Sequence, residues 1–353
     1  MDFSILIATD QRLSHNDILP QLNLLKRLNI KGEVLIATNK PFKKLQQCYI
    51  NKYIKIKLIY LKHFSRAIKR NYLLKLASGK IIILWADDFK LNPSVIKNHL
   101  KFHQRNIFIK SICFGMGWIN ETSLYNLWLE KSGHLFGYPF KKNQKYLMKK
   151  YDFFYGGNTS FKKELINISG YYEARCHFDC TDDWIMWNKL KSLNCNFFHV
   201  PNCDTEHVHD VTIKERFVAL AQSGWNLSNL KYKNFKPTGN LKLKIYKLHQ
   251  LCSVVSTHAN SVNLKKLFMA IEDTAFHIGY NVNARDKNPN KLYVMDNLFQ
   301  ISFKNYGLEL PNFSKIERNI KNLNKFEIYK FLICEYITFP IKKLMHLVKY
   351  ILN

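Results

Sequence analysis

The chain predicts an α/β protein: a mostly parallel sheet with flanking helices, followed by a helical C-terminal extension. Three observations predict it. Short apolar runs rich in β-branched residues alternate with segments of helical periodicity between Phe3 and Trp85. One of these runs, Ile81 to Trp85, ends at two adjacent acids, Asp87 and Asp88. Beyond Pro237-Thr238-Gly239 the texture changes to basic helical sequence.

Phe3 to Ala8 reads as the first strand, with a polar turn over Thr9 to Asn16 and helical periodicity from Ile18 to Leu28. Glu33 to Ala37 is a second strand ending at Thr38-Asn39, and Ile54 to Tyr60 a third. Arg66 to Leu76 is helical and gives way at Ser78-Gly79 to the strand Ile81 to Trp85. Asn92 is placed to cap a helix that Pro93 opens. Such alternation requires parallel strands joined by right-handed crossovers. In open α/β sheets ligands bind beyond the carboxyl ends of the strands, where Asp87 and Asp88 lie. The middle of the chain is mixed, with glycine turns at Gly115-Met116-Gly117 and Gly156-Gly157 and many aromatics. Residues 236–353 carry the run LKLKIYKLHQL, an Asn/Lys-rich loop over 281–291, and a basic amphipathic end from Lys325 to Asn353 broken by Pro340. The expected domains are 1–235, with halves 1–100 and 101–235, and 236–353. No internal repeat is present.

Composition sets the class of partner. With 353 residues and a 47% hydrophobic fraction, a substantial core is available. There are 54 basic against 26 acidic residues, a formal net charge of +28. Abundant Asn, Ile and Lys fit an AT-rich coding bias, which accounts for part of that surplus. The remainder favours phosphates, nucleic acid or an anionic membrane face. No apolar run approaches the ~20 residues of a membrane span. The opening MDFSILIATD has an acid at Asp2 and no basic n-region, so no secretory leader is expected. Eight scattered cysteines suit reduced thiols in a cytoplasmic protein. Cys176, Cys180, Cys195 and Cys203 lack the paired C-x2-C spacing of a structural zinc site.

Several segments recur in a familiar order: FSILIATDQR from Phe3 to Arg12, Arg70-Asn71 with Ala77 and Gly79, and Ala86-Asp87-Asp88 followed by Pro93. Then come Gly156-Gly157-Asn158-Thr159-Ser160-Phe161, Ser169-Gly170-Tyr171-Tyr172-Glu173, Thr181-Asp182-Asp183-Trp184, and the histidines His207 and His209. Each motif alone is weak. Their order over residues 1–235 resembles the family 2 glycosyltransferases, inverting enzymes of the GT-A fold. The resemblance implies a sugar nucleotide donor, a UDP-sugar first, and a saccharide or lipid-linked acceptor in cell-surface polysaccharide synthesis. It implies Mn²⁺ or Mg²⁺ held by Asp88 with His209, or His207 close behind. Asp183 falls on the family's general base, with Asp182 beside it. Thr9, Arg12, Asn39, Arg70, Asp87, Asp88, Gly157 and Asn158 fall at the donor. Two departures matter: Ala86 replaces the first acid of Asp-x-Asp, and Thr38-Asn39 replaces the paired acids after the second strand.

The chemistry fits these residue types. Breaking the bond to a diphosphate builds charge that a divalent ion offsets, and hard oxygen ligands with one imidazole suit Mn²⁺ or Mg²⁺. The attacking hydroxyl needs one carboxylate as base. Plainer roles compete: Asp87-Asp88 as a helix cap or solvated turn, Asp182-Asp183 as acids at a helix N-terminus, Arg70 as a helix-end cation, Gly156-Gly157 as an ordinary turn. Trp184 and Trp187, at i and i+3, are expected to form a core stripe, against a sugar-stacking platform. The tail from Lys325 suits either an interfacial helix on the inner face of the plasma membrane or packing on the catalytic domain. Two other functions compete: a catalytically inactive GT-A-like scaffold, suggested by Ala86 and Thr38-Asn39, and a basic nucleic-acid-binding protein. The latter lacks any recognisable module, so nucleic acid is not the expected partner.

Overall fold

The computed structural model describes residues 1–9, 21–39, 47–49, 51–62, 65–119, 123–132, 149–151, 156–176, 181–208, 211–230, 239–257, 259–285, 300 and 302–323. Arg12, His209, Cys180 and the tail from Lys325 lie outside these residues.

A nine-stranded sheet runs in the order β3-β4-β2-β1-β5-β9-β6-β10-β8. Its strands are β1 (Phe3–Thr9), β2 (Gly32–Thr38), β3 (Gln47–Tyr49), β4 (Ile54–Tyr60), β5 (Ile81–Trp85), β6 (Ser111–Phe114), β8 (Lys149–Tyr151), β9 (Asn158–Lys162) and β10 (Asn196–His199). β4, β2, β1 and β5 are parallel neighbours. β9 runs antiparallel to both β5 and β6, so β6 and its parallel partner β10 point the same way as β5. The sheet is therefore mostly parallel, with β3, β8 and β9 reversed. β7 (Gly117–Ile119) and β11 (Thr205–His207) form a separate parallel pair.

Parallel strands covered on both faces read as unbroken apolar runs. β1 and β2 do so, with nearly every residue buried. Helix α1 (Arg66–Leu76) packs on β1 and β2, and α2 (Pro93–Arg105) packs on β5, β6 and β9. Both are capped as their sequences require: Ser65 accepts from Ile68 N, and Asn92 accepts from Ser94 N ahead of Pro93. The register brings Thr9 opposite Thr38, Ile7 opposite Trp85, and Trp85 opposite Asn158. The carboxyl ends of β1, β2 and β5 thus form one level rim. Buried Glu33 sits near the other end of the sheet, satisfied by Ser4 Oγ and by Ser78 N and Oγ at 2.6–2.8 Å.

The chain groups into two compact units, Met1–Asn120 with Phe140–His209, and Glu121–Pro139 with Asp210–Asn353. The segment 210–230, placed by sequence with the first domain, thus groups with the C-terminal unit. The second unit is helical: α3 (Leu124–Ser132), α6 (Ile213–Asn229), α7 (Leu241–Thr257), α8 (Ser261–Arg285) and α9 (Phe313–Lys321). Thr212 and Glu215 close a capping box at the start of α6. α6 and α8 touch backbone to backbone at Gly224 and Gly279, where an added Cβ would meet Phe276 O at 2.1 Å and Ala221 O at 1.8 Å. Arg216 forks onto buried Glu272 at 2.7 and 2.9 Å beside the Tyr125 hydroxyl. Among the described residues no helix is long and apolar enough to cross a membrane.

Candidate active site

The acids after β5 sit in a tight turn on the sheet's rim. Trp85 Nε1 donates to Phe89 O at 3.1 Å, and Phe89 N to Ala86 O at 3.3 Å. The turn is joined to its neighbour by Ala86 N, which donates to Gly157 O at 2.7 Å. Asp87 turns inward and accepts from Thr9 Oγ1 at the end of β1. Asp88 turns the other way, and its Oδ2 lies 3.0 Å from His207 Nε2 at the end of β11. The β11 backbone keeps that pairing: Lys90 N donates to Glu206 O at 2.8 Å, and Val208 N to Asp88 O at 2.9 Å. His207 is buried and meets the Phe89 ring edge to face at 5.3 Å between centroids.

Asp88 and His207 offer a small divalent ion two donor atoms of suitable type. Two ligand atoms about 2.1 Å from an octahedral ion stand about 3.0 Å apart. Asp88 and His207 stand 3.0 Å apart as a hydrogen-bonded pair, which an ion would have to replace. Carboxylate oxygen and imidazole nitrogen are acceptable ligands for Mn²⁺ and Mg²⁺.

The second pair of acids opens helix α5 (Asp182–Ser192), with α4 (Glu164–Ser169) preceding it in the chain. Asp182 is wholly buried, while the Asp183 side chain keeps 21% exposure. Arg66 Nη2 reaches Asp182 Oδ1 at 2.8 Å, and Arg70 Nη1 reaches Asp182 Oδ2 at 2.9 Å and Asp183 Oδ1 at 2.5 Å. Arg70 Nη2 donates to Gly156 O at 2.9 Å, and the Tyr172 ring lies 5.2 Å from the guanidinium carbon. Arg70, expected at the donor, is itself 5% exposed and faces the acids. Burial alone would raise the Asp182 carboxyl, but the Arg66 and Arg70 guanidiniums outweigh it and hold its pKa below the usual value. A Cβ on Gly156 would meet Asp183 Oδ1 at 2.1 Å, which explains a glycine at that turn.

Asn158, expected at the donor, is fully buried behind the turn. Its Nδ2 donates to Cys203 O at 2.7 Å and its Oδ1 faces His99 Nε2 at 2.8 Å. Gly157 contributes its carbonyl to Ala86 as described. Asn39 follows β2 on the rim, and its Oδ1 is buried without a hydrogen-bond partner among the described residues. Trp184 and Trp187 do not form the core stripe expected of them. The buried stripe of α5 is Asp182, Met186 and Leu190, with Asp182 turned inward to its ion pairs with Arg66 and Arg70. Of the four cysteines weighed as a cluster, Cys176 and Cys195 are buried free thiols, and Cys203 instead neighbours Cys113.

Sequence reasoning missed three contributors. Arg66 stands one turn before Arg70, an i, i+4 pair that signals one helix face. Lys69 is buried and its Nζ donates to Thr9 O at 2.7 Å, under the Asp87 side of the rim. Nothing in its local sequence marks it. His99, on α2, carries no motif signal either.

No protein-family model matches the chain, and no curated protein matches it. Among solved structures, S. aureus TarS 1–349 in complex with UDP is similar at a TM-score of 0.46 and 12% identity, over 82% of this chain and 92% of that one. The same TarS segment with UDP-GlcNAc gives 0.43 and 13%, over 81% and 92%. GalNAc-T7 with UDP, GalNAc and Mn²⁺ gives 0.43 and 10%, over 81% of this chain and 58% of that one.

Removing the buried Asp182 charge leaves two guanidiniums with only the partly exposed Asp183 to balance them. Asp182→Ala should cost about 3–5 kcal/mol in urea unfolding. In the wild type this contribution is complete above the unfolded-state pKa of about 3.9 and fades as pH falls through the lower folded value. A stability–pH curve for Asp182→Asn that kept the same acid limb as wild type would remove the ion pair as its source.

Proposed function

We propose that the chain is a metal-dependent inverting glycosyltransferase of the family 2, GT-A type. It would move a sugar from a nucleotide donor, a UDP-sugar first, to a saccharide or lipid-linked acceptor of cell-surface polysaccharide. One observation carries the proposal: residues 119 positions apart in sequence, Asp88 and His207, meet at 3.0 Å on the rim of the sheet, beside Asp87–Thr9. The nucleotide would lie along that rim, with residues 1–100 on the donor side. Thr9, Arg12, Asn39 and Asp87 would hold the nucleoside, and the buried Asn39 Oδ1 would accept from it. Asp88 and His207, with His209 as a further candidate, would hold Mn²⁺ or Mg²⁺. Such an ion supplies neutralisation of the charge growing on the leaving diphosphate.

The two carboxylates after Thr181 divide the remaining work. Asp182, anchored by Arg66 and Arg70, sets the position of the helix start. Asp183, partly exposed, would take the acceptor hydroxyl proton as that oxygen attacks the anomeric carbon from the face opposite the diphosphate. The inverted product follows from a single in-line displacement. Arg70 holds one Asp183 oxygen at 2.5 Å, which orients the carboxylate.

The test of donor binding is a thermal-shift titration with UDP, with and without Mn²⁺. Wild type should gain Mn²⁺-dependent stabilisation, and Asp88→Asn should lose it. Unchanged stabilisation in the variant would take Asp88 out of the metal site, and no response in wild type would favour an inactive relative of the fold.

Asp183→Asn should retain donor binding and lose transfer by ~10²-fold or more, the scale of a general base. Asp182→Asn proving far more damaging to kcat at equal folded fraction would reverse the assignment.

The tail from Lys325 would attach the enzyme to the inner face of the plasma membrane. Each lysine near an anionic surface contributes about 1 kcal/mol. In co-sedimentation with anionic vesicles the full chain should partition more than a truncation before Lys325. Equal partitioning of the two would contradict attachment through the tail.

A further inference from the structure

Behind the site lies a second cluster of potential ligands, with none of the hard character of Asp88. His99 of α2, Cys113 of β6 and Cys203, in the turn Pro201–Cys203, are all buried, and their donor atoms lie within 4.8 Å of one another. We propose that these three residues bind a thiophilic divalent ion, zinc, and that the ion pins α2, β6 and the turn leading into β11.

The sulfur geometry is the first support. Two thiolates 2.3 Å from a tetrahedral ion stand about 3.8 Å apart. Cys113 Sγ and Cys203 Sγ are 3.9 Å apart. Charge is the second. Two thiolates and a neutral imidazole cancel the two charges of zinc, so the bound site is neutral overall, as a buried site requires. Three protein donors with one further position is the ligand count of known Cys2His zinc sites.

The imidazole tautomer is the third. Asn158 Nδ2 donates to the Cys203 carbonyl, which fixes the amide so that its Oδ1 faces His99 Nε2. Nε2 must then carry a proton, and in the neutral ring Nδ1 keeps its lone pair. An N–H held by a carbonyl on the far nitrogen is the usual setting of a metal-bound histidine. Nδ1 is 2.8 Å from Ser160 Oγ, and Ser160 is the cross-strand partner of Cys113. Metal binding would displace Ser160 from Nδ1, and its hydroxyl would turn to His103 Nε2, 2.9 Å away.

The ion would act on the active site by position. Cys203 is four residues before His207, and Asn158 sits between His99 and the Gly157 turn. On the proposed function, hard ligands would hold Mn²⁺ or Mg²⁺ in front, and soft ligands zinc behind.

The test is metal analysis of the full-length chain purified without chelators from zinc-supplemented cells. About one equivalent of zinc is expected, with an X-ray absorption fine structure of two sulfurs near 2.3 Å and nitrogen near 2.0–2.1 Å. Cobalt substitution should give a thiolate-to-metal charge-transfer band. Cys113→Ser and Cys203→Ser should lose the equivalent and the band, while Cys176→Ser and Asp88→Asn keep both. The absorption measurement on wild type decides the matter even if a cysteine variant fails to fold. Zinc-free protein with two free thiols, a Cys113–Cys203 disulfide by mass, or zinc in an oxygen-only shell would each overturn the proposal.

Discussion

Strand β9 carries a constraint on which the first unit depends. It runs against the direction of its neighbours, between β5 and β6, and it presents Asn158, Thr159 and Ser160 to a fully buried environment. Buried polar side chains must be paired, and leaving one unpaired costs about 1–3 kcal/mol. The pairing is met by three partners from two directions: His99 and His103 from α2, and the Cys203 carbonyl from the turn before β11. Backbone bonds complete the link, with Ala86 N on Gly157 O and Gly115 N on Asn158 O. Satisfying one short polar strand therefore fixes the acidic turn after β5, the helix beneath it, and the strand that delivers His207.

The charges on the rim follow from the same economy of pairing. A chain with 54 basic and 26 acidic residues still commits two arginines to the Asp182–Asp183 pair. Asp182 takes contacts from both guanidiniums and is buried, and Asp183 keeps an open side. Two adjacent carboxylates thereby acquire different environments, the arrangement that lets one serve as an anchor and the other meet a ligand. Asp87 and Asp88 are divided in a similar way. One turns to Thr9, with Lys69 beneath on the Thr9 carbonyl, and the other turns to His207.

The first half of the fold was legible because its central strands are apolar runs and its strand Ile54–Tyr60 alternates isoleucine with lysine at its start. Ile54–Tyr60, Arg66–Leu76 and Ile81–Trp85 match their expected bounds, and Asn92-Pro93 opens its helix as the cap chemistry requires. The second half was not, because β6, β7, β10 and β11 span only three or four residues each and owe their register to partners far away in sequence. At the site, Asp87, Asp88, Asp182, Asp183 and His207 could be named from motif order. Their division of labour could not, since it depends on Arg66 and Lys69, whose burial is decided by tertiary contact alone. The inward turn of Asn158 was hidden for the same reason: its partners, His99 and Cys203, lie 59 and 45 residues away.

The meeting of Asp88 with His207 is where fold and chemistry join, and locating the ion tests it most directly. Crystals grown with UDP and Mn²⁺ can be measured at the manganese absorption edge. The anomalous peak is expected at Asp88 and His207, bonded to both and to the diphosphate. UDP bound along the rim with manganese elsewhere, or with no manganese at all, would contradict a metal-dependent site at this pair.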